Sequence, residues 1–124
     1  DHPGRGMSAR VISADVSLKE CFESIARSLG FEIFDTESES RAATVHILVA
    51  PFIDRGTFRR IQQLRDDNFG ATIIVASDMA TPDETISLRD AGAAAVISQL
   101  RFAEDLVDQL RVGLLSESKA TAAR

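Results

Sequence analysis

The 124-residue sequence contains no tryptophan, no tyrosine, one cysteine and three prolines. Each shortage excludes something. With Cys21 alone no internal disulfide can form, and no second cysteine or histidine pair stands near it at metal-ligand spacing, so a disulfide scaffold and a zinc site are both ruled out. That fits a reducing, cytoplasmic setting for the domain, whatever membrane anchor a parent chain carries. No apolar run approaches the roughly 20 residues of a membrane-spanning helix, and the amino terminus lacks the charged-then-apolar pattern of a signal peptide; direct membrane contact is not expected. Basic residues are also scarce, 14 Lys and Arg against 19 Asp and Glu for a net charge of -5. Nucleic-acid binding, which needs clustered cations against phosphates, is therefore not expected. The missing Trp and Tyr remove the commonest flavin-stacking side chains, leaving Phe52 for that work.

What the chain does have is short apolar runs. Val45-His46-Ile47-Leu48-Val49-Ala50-Pro51 is nearly continuous, rich in β-branched residues and too short for a globular helix. Such a run suits a strand buried on both faces. Similar runs stand at Arg10 to Ala14, Ala71 to Ala76 and Ala93 to Ile97, and Phe31-Glu32-Ile33-Phe34 alternates like a half-exposed edge strand. Helix-period segments separate them. From Ser17, residues Leu18, Cys21, Phe22, Ile25, Ala26 and Leu29 form an apolar stripe that stops at Gly30, with Cys21 read as core filler. A second helix is expected around Phe58, Ile61 and Leu64, after a loop over residues 52–56. A third starts at Thr81-Pro82-Asp83-Glu84, which has an N-cap, a first-turn proline and a glutamate three residues after the cap. Its apolar positions are sparse, so it should be the least buried. A fourth carries Phe102, Leu106, Val107, Leu110 and Leu114.

Alternating strands and helices imply one α/β domain over residues 9–115 with a parallel sheet. Residues 1–8 read as a linker or an expression remnant, with His2 a bystander, and residues 116–124 as a tail or linker. Only Asp35 to Thr44 separates the edge strand from the central one, while a parallel crossover usually takes a dozen residues or more. The helix there is expected to be missing or reduced, leaving an open face near Phe34, Val45 and Ile47 for a partner or a weak homodimer.

In parallel sheets, ligands bind beyond the carboxyl ends of the central strands. Here that place holds Ala50, a methyl group, and Pro51, a ring without an N–H. A flavin- or nucleotide-binding enzyme of this fold needs a Gly- or Ser/Thr-rich loop after the first strand. Ala14-Asp15-Val16-Ser17 offers one serine, which weakens that alternative.

Across residues 9–115 the order of elements resembles a response-regulator receiver domain. Ala91-Gly92-Ala93-Ala94-Ala95-Val96-Ile97-Ser98 is similar to the receiver signature before the last strand, and Gly56-Thr57-Phe58-Arg59-Arg60-Ile61 to the start of a receiver helix. The resemblance implies a flavodoxin-like (CheY-like), doubly wound, five-stranded parallel sheet of order 2-1-3-4-5. Receivers hold magnesium with an acidic pair, accept phosphate on an aspartate, and use a hydroxyl and a lysine as switch and counter-charge. Those positions fall here on Ala14 and Asp15, on Ala50, on Ser77 and on Gln99. The resemblance therefore implies a pseudo-receiver: a non-enzymatic regulatory module, with no metal or cofactor, that docks a kinase catalytic core or a neighbouring receiver inside a hybrid histidine kinase. A variant of this reading binds cyclic di-GMP. Arg55, Arg59, Arg60, Asp78 and Arg89 are the ligand- or partner-binding candidates, against the plainer reading of a solvated helix surface. Asp54 is a remote candidate for a displaced phosphoacceptor.

Overall fold

Branching at Cβ stiffens Val45, Ile47 and Val49 towards extended backbone, and the run they belong to becomes the central strand. The computed structural model describes residues 6–34, 43–67 and 72–111. In chain order the elements are β1 (Ser8–Ile12), α1 (Val16–Ser28), β2 (Glu32–Ile33), β3 (Val45–Val49), α2 (Arg55–Asp67), β4 (Thr72–Ala76), α3 (Pro82–Ala91), β5 (Ala95–Ile97) and α4 (Phe102–Arg111). The five strands form one parallel sheet, ordered β2-β1-β3-β4-β5. This is the flavodoxin-like arrangement, with its topological switch point between β1 and β3.

Period-two alternation divides the sheet between two layers. Val45, Ile47 and Val49 of β3 join Val11, Ile74 and Ile97 against Phe22 and Ala26 of α1 and Phe102 and Leu106 of α4. The Phe22 and Phe102 rings meet at 4.6 Å between centroids, tilted by 40°, a favourable aromatic geometry. On the opposite face Leu48, Ala50, Ile73 and Val75 pack against Ile61 and Leu64 of α2 and Leu88 of α3. As its sparse pattern requires, α3 buries one residue, Leu88. The Thr81–Glu84 capping box is formed, and the helix ends at Gly92 with φ 127°. Arg65 explains why no larger residue stands there: an added Cβ would lie 2.3 Å from its Cδ, and its Nη1 donates to the Ala91 carbonyl at 3.3 Å.

Several expectations are corrected. β1 starts at Ser8, inside the segment read as linker, because Ser8 and Ala9 pair with Glu32 and Ile33 of the edge strand. It ends at Ile12, since the Ser13 hydroxyl bonds both the Asp15 N–H and carbonyl and turns the chain away. β5 is shorter than expected and α2 begins earlier, at Arg55. Cys21 is exposed. It lies about 100° around the helix from Phe22, and the buried arc extends the other way, to Glu23, whose Oε2 is 3.3 Å from Lys19 Nζ. Val45 and Ile47 are fully buried under α1 and α4, so the open face expected at them does not exist. The short crossover falls largely on residues 35–42, the turn before β4 on residues 68–70, and the tail and Leu114 on residues 112–124, all outside the described residues. Among the described residues no helix stands between β2 and β3.

Candidate functional site

Residues 50, 77 and 98 follow β3, β4 and β5 directly, so the carboxyl end of the sheet is a small platform. At its centre Ala50 is buried, and its N–H donates to the Ala76 carbonyl at 3.0 Å. The same carbonyl accepts the Gln99 Nε2 at 3.1 Å, so the side chain at the lysine position is turned back onto β4 as a neutral tie. Ser77 is buried; its N–H donates to Ile97 O at 2.9 Å, and its Oγ accepts the Met79 N–H at 3.3 Å. Asp78 Oδ1 accepts the Ser98 hydroxyl and the Gln99 N–H.

The other carboxylates here cap helices. Asp15 Oδ1 accepts from Ser17 N at 2.9 Å and Leu18 N at 3.2 Å, closing the start of α1, while Ala14 is exposed. Asp54 Oδ1 accepts from Thr57 N at 3.0 Å, and Thr57 Oγ1 accepts from Asp54 N, a reciprocal cap on α2. Each is held by N–H donors that a helix start would otherwise leave unsatisfied. Among the described residues no group of three or more His, Cys, Asp or Glu could hold a metal ion.

Around the platform several large apolar side chains are exposed. Val16, Phe52, Met79 and Leu100 are 67, 72, 63 and 90% exposed. Val16 opens α1 after β1, and Phe52, Met79 and Leu100 stand in the connections that follow β3, β4 and β5; β1, β3, β4 and β5 are adjacent in the sheet in that order. With strands about 4.8 Å apart, the four connections span roughly 15 Å. A clustered apolar surface of this kind marks an interaction site more often than isolated exposed side chains do.

A second locus lies where β1 faces α2. Arg10 and His46 are register partners on the two innermost strands. His46 is fully buried, neither ring nitrogen has a hydrogen-bond partner among the described residues, and burial followed by the nearby Arg10 charge lowers its pKa from 6.5 to about 4. Arg10 in turn lines a pocket of about 160 Å³ with Ser13, Lys19, Phe34 and Arg60 together with Val11 and Ile12.

The structure therefore separates the arginines that the sequence grouped. Arg60 is half-buried in this pocket, Arg55 and Arg59 are exposed on α2, and Arg89 lines a different depression with Ile86, Asp90, Ala93 and Ala94. Reading the sequence missed Arg10 and His46. Their signal was present as two strongly polar side chains inside runs that a doubly covered parallel sheet keeps apolar.

No protein-family model matches the chain, and no curated protein matches it. Solved structures do. A pilus assembly-related protein from Burkholderia pseudomallei superimposes at a TM-score of 0.71 with 15% identity, over 84% of this chain and 88% of that one. A CheY-like receiver domain protein from Methanospirillum hungatei gives 0.71 and 18%, over 93% and 98%. A B. pseudomallei response regulator bearing a phosphorylated aspartic acid and a calcium ion gives 0.62 and 20%, over 94% and 73%. The chain thus has the fold of response-regulator receiver domains, with a methyl group buried at the end of its central strand and exposed apolar side chains in the loops that follow β3, β4 and β5.

Proposed function

We propose that this domain is a pseudo-receiver: a regulatory protein-interaction module of two-component signalling that works by docking instead of by phosphotransfer. The observation that supports it best is the carboxyl end of the sheet, where Ala50 is buried and Phe52, Met79 and Leu100 in the connections after β3, β4 and β5 are exposed. Phosphoryl transfer at an aspartate needs a carboxylate nucleophile and a cation to draw off charge. Here the position after the central strand offers a methyl group, and Gln99 brings a neutral amide committed to Ala76 O. Asp15, Asp54 and Asp78 are each engaged by backbone N–H groups. The partner surface fitting an exposed apolar row is another apolar face, on a kinase catalytic core or a neighbouring receiver within the same parent chain.

The experiment uses that full parent chain. Phe52→Ser combined with Leu100→Ser should change kinase autophosphorylation several-fold while the domain's thermal melt stays nearly constant. Autophosphorylation unchanged in the double variant would overturn the reading. Arg59→Gln, on exposed α2 surface, is the control expected to do nothing.

A further inference from the structure

We propose that the pocket between β1 and α2 binds the phosphate group of a small phosphorylated ligand, with Arg10 and Arg60 as the anion-binding residues and Phe34 as an apolar wall. The inference goes beyond the interaction-module reading and does not rest on it, because the pocket is separate from the apolar row.

Arg10 lies in the middle of β1. β1 is an inner strand, paired on both sides, and inner strands of a parallel sheet are covered and read apolar. A guanidinium in the middle of Ser-Ala-Arg-Val-Ile gives up stability for something else, as local rules are broken chiefly where function requires it. Its register partner His46 compounds the anomaly: it has an unpartnered imidazole, fully buried, next to a fixed positive charge. Among the described residues no carboxylate pairs with either of these two side-by-side residues.

Arg60 reaches the same space from α2, and Ser13 adds a hydroxyl. Among the described residues no carboxylate lines the pocket. On a chain of net charge -5 this is a local inversion of sign. Guanidinium forks match phosphate oxygens in pairs and are weakly hydrated, so they suit partly buried anion sites. The volume, about 160 Å³, equals roughly five waters at ~30 Å³ each. One phosphate group fits with a few attached atoms. An anion on Arg10 also offsets the charge that depresses His46, so the imidazole reports on occupancy.

The test is a titration of the 124-residue chain with inorganic phosphate, guanosine monophosphate and cyclic di-GMP, read by amide and His46 ring chemical shifts. Binding should move Ser13, Phe34 and the His46 ring together and raise the His46 pKa from about 4. Arg60→Gln and Arg10→Gln should each weaken it by at least about tenfold, with Arg59→Gln as the unchanged control. Arg60 lies on a helix surface, so its variant keeps the test sound if Arg10→Gln impairs folding. Equal affinity for all three probes assigns the site to free phosphate, and tighter nucleotide binding assigns it to a phosphorylated ligand held against Phe34. The proposal is overturned if no probe shifts these residues up to about ten millimolar, or if the shifts persist undiminished in Arg60→Gln.

Discussion

The two faces of β3 follow different rules. Val45, Ile47 and Val49 enter a wholly apolar layer closed by α1 and α4, whereas His46, Leu48 and Ala50 face α2 and α3, where Leu48 and Ala50 pack in a smaller core and His46 adjoins Arg10. One strand thus carries a structural face and a face that departs from good packing. The departures teach where to look: inner-strand Arg10 and its unpartnered register neighbour His46 are each unfavourable for folding, and Arg10 lines a candidate binding pocket.

The comparison predicts a large cost on the structural face. Ile47→Ala should destabilise the domain by about 3–4 kcal/mol, since a fully buried residue leaves a cavity that rigid neighbours cannot fill. Urea denaturation reads it directly. A loss below about 1 kcal/mol would mean the α1/α4 layer is not the main core.

On the other face, pH is the probe. His46 has an unfolded pKa near 6.5 and a folded value of about 4, so the unfolded chain binds more protons between those values. Stability is complete above pH 6.5 and is lost as pH falls towards 4, by roughly 3 kcal/mol at most. His46→Leu should flatten this slope and hold or raise stability at neutral pH, because two unsatisfied ring nitrogens disappear. A slope that survives the substitution would assign it to other groups.

A smaller effect is expected at the seam of α2 and α3. Gly92→Ala should cost about 1–2 kcal/mol, from the positive φ and the displacement of Arg65. Thermal melts against an Arg65→Ala, Gly92→Ala double variant separate the two causes, since only the clash is relieved there. The smallest effect belongs to the apolar row: Phe52→Ser or Leu100→Ser should change stability by less than about 0.5 kcal/mol. A larger loss by chemical denaturation would show that these side chains support the fold instead of waiting for a partner.

Much of this architecture was legible in the sequence because period and punctuation are local signals. The capping box at Thr81, the stop at Gly92, the four apolar runs and the alternation at Phe31 to Phe34 all name their elements directly. Boundaries failed where tertiary pairing decided them, as at Ser8, recruited into β1 by Glu32. Cys21 was misplaced because an apolar stripe does not say to which side its arc widens, and Lys19 with Glu23 widened it the unexpected way. At the platform, Ala50 could be read from its position alone. The uses of Asp15 and Asp54 as helix caps, and the tie from Gln99 to Ala76 O, depend on backbone geometry that residue type does not encode. Arg60 was singled out as one of a set, yet only the fold separates it from Arg59 and sets it opposite Arg10.

The central claim, that the end of the sheet has lost phosphotransfer chemistry, is tested most directly by the intact mass of the chain after incubation with a small phosphodonor and magnesium. The account predicts an unmodified mass under conditions that fully modify an ordinary receiver. One added phosphoryl group would contradict it, and its disappearance in Asp54→Asn would show that the carboxylate capping α2 serves as acceptor.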